Sequence, residues 1–315
     1  MKSIFIQIAS YRDLDLQNTV RDAINQASGK YSLHFGIHNC AIEDSEFDNK
    51  FQNITDARIT EIRSVAPWNI GAQTSRYIAN TIYSGEDFYL QVDSHSRFKK
   101  NWDDIFVRTL EYYQELGISK PLISQYPAAF TYNDEMQEVF SPDRNADNPD
   151  YFSTRISFHE KPEQFEESLI PSQMAMPSPK MCGFTYSISA GMIFTLGEFA
   201  LVEPNPKIAF WGEETLIAAR AFTHGFDLVT PFQDIVWHLY HSGQSAERVL
   251  RKHAWHDFPE KWADLDRLSR QEYKTIMRSR RIGRYALGSE RSLDDFEQFA
   301  GLDFRTGKIT QIDLR

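Results

Sequence analysis

Apolar and polar positions follow two rhythms through the first 125 residues. "SIFIQIAS" (3–10), "YSLHFGIHN" (31–39) and "ITEIRSV" (59–65) are short and dense in β-branched or aromatic residues, which predicts strands. "LDLQNTVRDAINQAS" instead carries a helical period and is closed by Gly29. "GAQTSRYIANTIYSG" repeats that period and is closed by Gly85. A strand from Phe88 to Val92 comes next, then the helix "WDDIFVRTLEYYQELG" and the strand "PLISQYP". Such alternation predicts an α/β fold, an open and mostly parallel sheet with crossover helices.

The rhythm breaks between Thr131 and Lys180, where "TYNDEMQEVFSPDRNADNPDYF" and "PSQMAMPSPKMCGF" are polar and proline-containing. A stretch of this length predicts a functional lid or binding loop, with disorder as the competing reading. Alternation returns in "TYSISAGMIFTL" (185–196), read as one strand carrying Gly191, where a glycine marks a bulge or a close approach by backbone or ligand. In "FWGEETLIAARAFTHGFDLVTP", Glu213 and Glu214 open a helix that Gly225 ends, and "DIVWHLYH" is the next strand. From about Ala246 the chain reads as helical and mixed in charge. Its basic run "RSRRIGR" predicts a solvated face or an intrachain contact.

Composition narrows the class. A hydrophobic share of 41% over 315 residues supports a substantial core and excludes general disorder. The net charge of −10 argues against a nucleic-acid or anionic-membrane binder, and it means that an anionic substrate would need a cation or a local set of arginines. Two cysteines, Cys40 and Cys182, without CxxC spacing argue against a disulfide framework or a zinc ribbon and fit a reducing compartment. The opening run is interrupted by Gln7 and followed by Arg12 and Asp13. It is too short for a transmembrane helix and lacks a small-residue cleavage site, which predicts the first strand of a cytoplasmic protein. No GxGxxG or GxxxxGK[ST] occurs, so a dinucleotide or P-loop site is unsupported.

The candidate chemistry begins at "VDSHS". Residues i and i+2 of an extended strand share a side, so Asp93 and His95 would present an oxygen and a nitrogen together to a cation if the strand runs that far. The competing reading is an ordinary strand-ending turn, in which Asp93 and Ser94 bond the backbone. Ligands of open α/β sheets sit outside the carboxyl ends of the strands, where this motif and "ASYRD" both lie. A mixed O/N donor pair suits Mn2+ better than Mg2+, leaving Mg2+ as a weaker substitute. Arg12 and Arg76 offer planar guanidinium forks that suit an anion, each with an ordinary surface ion pair as its competing role.

Taken in order, "IASYRD", "GEDFYLQVDSHSRF", "SISAGMIFT", "FWGEE", "THGFDLVTP" with "VWHLYH", and "RRIGRYALGSERSLDDFEQFAGLDF" resemble the glycosyltransferase family that includes cytoplasmic protein-hydroxyproline N-acetylglucosaminyltransferases. The resemblance implies a GT-A fold: a Rossmann-like mixed sheet flanked by helices, with a helical C-terminal region. It implies a catalytic domain over 1–245, in which 1–125 holds the nucleotide sugar and 126–245 faces the acceptor, and a helical extension over 246–315. Transfer of GlcNAc from UDP-GlcNAc with retention, to a glycan or protein hydroxyl, is the implied reaction. Asp93-Ser94-His95 takes the place of the family's metal motif, and a late histidine, His238 with His241 as the alternative, is the implied third ligand. Arg76, Ser10, Tyr11, Arg12, Ser94 and Gly191 fall on the donor side. Glu213 or Glu214 is placed at the sugar or acceptor, the choice between them being open. The competing functions are a nucleotide-sugar sensor with a degenerate transferase fold and a metal-dependent phosphodiester hydrolase.

Overall fold

A computed structural model describes residues 1–47, 51, 54–142, 153–159, 162–178, 183–240 and 250–310. Strand β1 (Ser3–Tyr11) is followed by α1 (Leu16–Gln26), β2 (Ser32–Ala41), β3 (Arg58–Val65), α2 (Ala72–Asn80) and β4 (Phe88–Asp93). A short β5 (Ser96–Phe98), α3 (Trp102–Glu115) and β6 (Pro121–Ser124) complete the first part. Ile4, Phe5, Ile6 and Ile8 of β1 are all buried, so both of its faces are covered. Helix α1 buries Leu16, Thr19, Val20 and Ala23, one stripe at helical spacing.

β7 (Ala128–Tyr132), β8 (Glu138–Phe140), β9 (Ser153–His159), α4 (Pro162–Ser168), β10 (Ser172–Ser178), β11 (Met192–Leu196), α5 (Glu213–Thr223), β12 (Asp227–Val229) and β13 (Val236–Leu239) follow. The large sheet has seven strands in the order β12-β6-β11-β4-β1-β2-β3. Only β11 runs against its neighbours, antiparallel to both β4 and β6, so the expected mixed, mostly parallel α/β sheet is what forms. A second sheet has the order β5-β13-β7-β8. The chain passes from the first sheet to the second between Asp93, the last residue of β4, and Ser96, the first of β5.

Three expectations are revised. The strand carrying Asp93 does not persist to His95, because residues 94 and 95 form the bend between the two sheets. The stretch read as one strand over 185–196 is a strand only from Met192. Before it, Ser189 bridges to Met192 around a tight turn at Ala190 and Gly191. There the small side chains turn the backbone instead of extending it. The aperiodic stretch after Thr131 contains the antiparallel pair β9 and β10 with α4 between them, held by pairing with distant backbone that local periodicity does not report.

The C-terminal part holds the long helix Pro259–Ser279, the helix Leu293–Ala300 and a two-stranded pair, Leu302–Asp303 with Lys308–Ile309. Its Tyr273, Ile276, Phe296 and Phe304 share one buried cluster with Phe5 and Tyr89 of the sheet and with α5. Among the described residues, no helix is long and apolar enough to cross a membrane.

One contact in the large sheet limits substitution. Gly36 of β2 lies under the ring of Phe5, and a methyl group there would overlap that ring and approach Ala79 O at 3.1 Å. Gly36→Ala is expected to cost about 1–3 kcal/mol through overpacking, measured by urea unfolding.

Candidate active site

A cavity of about 630 Å3 opens at the carboxyl ends of β1 and β4 and is lined by Ser10, Asp93, His95, Gly191, Glu214 and His238, among others. This is where open α/β sheets place ligands. Three side chains from three positions meet there. Asp93 ends β4, His95 sits in the bend, and His238 lies on β13 directly opposite Ser96. His238 Nε2 is 3.0 Å from Asp93 Oδ2 and 3.0 Å from His95 Nε2. The three donor atoms lie within 4.8 Å of one another.

The partner of His95 orients that ring for a cation. His95 Nδ1 is 2.6 Å from Asp13 Oδ2, which also accepts from Ser94 Oγ at 2.6 Å. Burial opposes the charge of Asp13, but His95 and the hydrogen bonds hold its carboxyl below the usual range. Asp13 is therefore an acceptor, so Nδ1 of His95 donates and Nε2 turns a lone pair toward the cluster. Burial pushes His238 down to about 4 against the opposing bond to Asp93, so it is neutral at physiological pH with its Nε2–H donating to Asp93; a cation at Nε2 would move that proton to Nδ1, which is buried with no partner among the described residues. Asp93 is held well below the usual carboxylate range, because its bond with His238 and the Arg76 guanidinium outweigh desolvation. Ligand atoms about 2.1 Å from one cation are about 3 Å apart on neighbouring octahedral positions. The two 3.0 Å separations match that spacing, so the donor set fits a divalent ion.

Arg76 projects from α2 and is 2% exposed. Its Nη2 donates to Asp93 Oδ1 at 2.6 Å and to Ala190 O at 3.0 Å. Nε and Nη1 have no hydrogen-bond partner among the described residues, which leaves donors of a buried cation at the cavity wall. Glu213 and Glu214 begin α5 after Gly212, whose φ of 84° favours glycine. Glu213 accepts from Gln73 Nε2 at 3.0 Å, and Glu214 accepts from the amide of Ala190 at 2.9 Å. Burial, only partly offset by Arg76 and Gln73, pushes Glu213 up to about 7. Burial also pushes Glu214 up to about 8 against its backbone hydrogen bond, with Glu213 and Asp93 adding repulsion.

The remaining sequence candidates divide. Ser10 reaches the cavity with an unpartnered hydroxyl, and Ser94 supports Asp13. Tyr11 lines the cavity, while its hydroxyl donates to Asp257 at 2.8 Å. Arg12 is not on the cavity wall, since its guanidinium pairs with Glu46 at 2.7 Å and Asp257 at 2.8 Å. Gly191 stands against the cluster: a methyl group there would crowd Asp93 Oδ2 at 3.2 Å and touch His238 at 3.6 Å. His241 lies outside the described residues. Sequence reasoning missed Asp13 as the support of His95. The only signal was its place at the end of a predicted strand. Trp255 and Trp262, which also line the cavity, carried no signal.

The family model described as Glycosyltransferase (GlcNAc) matches residues 39–306. No curated protein matches the chain. Among solved structures, GalNAc-T7 with UDP, GalNAc and Mn2+ is similar over 94% of this chain and 54% of that one, at 14% identity and a TM-score of 0.45. A TarS fragment from S. aureus in complex with UDP-GlcNAc is similar over 96% of this chain and 71% of that one, at 9% identity and a TM-score of 0.48. The chain thus spans about half the length of the GalNAc-T7 structure.

Two outcomes are expected of the isolated site. Asp13→Asn, which weakens the orientation of His95, lowers the affinity for Mn2+ by about 10- to 100-fold in calorimetric titration. In metal-free protein, the raised carboxyls favour the fold while protonated. Their contribution is complete below the ordinary value of 4.5 and is lost as pH rises through about 8 for Glu214. Thermal melts across that window should show Glu214→Gln gaining on the unmodified protein as pH increases. Parallel pH curves would show that Glu214 ionises normally.

Proposed function

The chain belongs to the glycosyltransferase family described by the GlcNAc model, and from that premise we propose that it moves GlcNAc from UDP-GlcNAc to a hydroxyl of a glycan or protein, in a cation-dependent reaction that retains the anomeric configuration. The observation that carries this reading is the meeting of Asp93, His95, His238 and Arg76 beside two carboxyls in one cavity. Asp93, His95 and His238 would hold the ion, with Mn2+ suited to the mixed donor set and Mg2+ a weaker substitute. That ion supplies Lewis-acid stabilisation of the negative charge that builds on the departing UDP.

The chain's own groups do the rest. Arg76 offers its unpartnered N–H groups to a phosphate or sugar oxygen, and Ser10 and Tyr11 flank the nucleoside. The bond from the anomeric carbon to the diphosphate breaks as the acceptor oxygen bonds to the same face, and the acceptor proton passes to the departing phosphate oxygen. No carboxylate base is required for that path. Glu214, on the cavity wall, is the group that meets a sugar or acceptor oxygen, and an inverting reaction with Glu214 as the base is the competing path. Glu213 holds the neighbouring hydroxyl. On this reading the GT-A part over 1–245 divides into a donor side (1–125) and an acceptor side (126–245), and the extension over 246–315 closes one cavity wall with Trp255 and Trp262. A cytoplasmic site of action fits the free, buried Cys40.

The test is calorimetric titration of UDP-GlcNAc, UDP-GalNAc and UDP-glucose into chelated protein with and without Mn2+, with UDP release followed in the same samples. UDP-GlcNAc is expected to bind only with Mn2+ and to release UDP slowly. Asp93→Ala should lower that release by about 100-fold or more; because it also strands the buried Arg76 guanidinium, its melt should fall, and release is compared at a temperature well below the variant's melt. Tight binding without turnover would leave a sensor, and UDP-sugar binding indifferent to Mn2+ would remove the metal role.

A further inference from the structure

A row of aromatic rings borders the cavity where α5 begins. Trp211 stands two residues before Glu213 and is 51% exposed. Phe210 meets it edge to face at 5.5 Å and meets Trp255 at 5.6 Å, and all three line the cavity. The Arg270 guanidinium lies over the Trp211 ring at 5.6 Å from its centroid. The backbone sets this placement. Gly212 is left-handed, and a methyl group on it would meet Tyr273 at 3.0 Å and Ile170 at 3.2 Å. That turn leaves the Trp211 ring exposed while Glu213, two residues on, is buried. An exposed tryptophan is unremarkable alone; a continuous aromatic row at a reaction cavity marks a ligand surface.

Resting on the transferase reading, we propose that Trp211 and Phe210 form the acceptor subsite and that the acceptor is a glycan, bound through a pyranose ring. A pyranose has an apolar C–H face and a polar rim. An aromatic ring suits the first, and Gln173, Ser172 and Glu214, which line the same cavity, suit the second. The row continues from Trp211 through Phe210 to Trp255; Arg270 covers one face of Trp211 and His253 stacks on one face of Trp255 at 4.3 Å, so a chain of sugars would meet the opposite faces, whereas a single modified amino-acid side chain would use one ring. The acceptor sugar's hydroxyl oxygen takes the bond that UDP gives up, and its proton leaves on the phosphate oxygen.

Saturation-transfer NMR on the full chain, loaded with UDP and diamagnetic Mg2+, tests this. The probes are methyl glycosides of glucose, galactose and GlcNAc, and a hydroxyproline-containing peptide. At least one glycoside should receive saturation at its ring C–H protons. Trp211→Ala should weaken that binding about tenfold, the scale of a lost aromatic contact, and Trp211→Phe should restore most of it. Trp211→Gln serves as the second truncation should the alanine variant fold poorly. UDP affinity, measured by calorimetry on the same samples, should stay within about twofold. The proposal is overturned if no glycoside binds, if glycoside binding ignores Trp211, or if only the peptide depends on Trp211. Absence of UDP binding in the unmodified protein counts against the donor reading, whereas glycoside contact at Trp211 is scored without it.

Discussion

The Asp93 carboxylate ties three parts of the molecule together. It ends β4 of the large sheet, takes a bond from Arg76 of α2 through one oxygen, and meets His238 of the small sheet through the other. Its side chain is only 28% exposed, so its charge must be matched by nearby donors. Arg76 is equally constrained, as a guanidinium buried to 2% exposure. Removing either partner would leave a charge stranded in a low-dielectric site. The arrangement of the two sheets and α2 is thus coupled to the electrostatics of the cluster.

The turn at Ala190 and Gly191 extends this coupling to the carboxyl pair. The carbonyl of Ala190 accepts from Arg76 and from Gln91, and its amide donates to Glu214. One residue's backbone therefore connects the side of the cavity that carries Asp93 and Arg76 to the side where the acidic pair stands. The turn runs close to the same cluster, since a methyl group on Gly191 would lie 3.2 Å from Asp93 Oδ2. Burial raises both carboxyls of that pair, and repulsion from Asp93, joined at Glu214 by that from Glu213, adds to the rise.

The C-terminal helices support the same region. Arg280 pairs with Asp294 and Glu297, Arg281 with Glu272, and Arg284 with Glu203. The basic run is therefore largely consumed by intrachain pairing, as its local sequence predicts. Tyr273 of the long helix packs under Gly212 and donates its hydroxyl to Leu169 O at 2.7 Å, which fixes the turn that presents Trp211. Support for the acidic loop thus comes from residues some sixty positions later in the chain, a relation that local pattern cannot express.

By itself, the sequence determined the alternation of strands and helices through β6 and the placement of Asp93 and His95 at a strand end, because hydrophobic period and turn chemistry are local properties. It also marked Glu213 and Glu214 as the opening of a helix, since acidic residues at that position answer the helix dipole. Local pattern failed at 185–191, where Thr185 and Tyr186 bond the backbone of Leu228 and Ile156 and Ser189 bridges to Met192 around a turn, and across 153–178, where two segments up to 25 residues apart pair with each other. It could not choose the role of Arg12, which needs the positions of Glu46 and Asp257, nor reveal Asp13 as the partner of His95 across 82 residues. Only the tertiary structure decided these, because hydrogen bonds and desolvation act over a few ångströms in space, and separation along the chain does not report that distance.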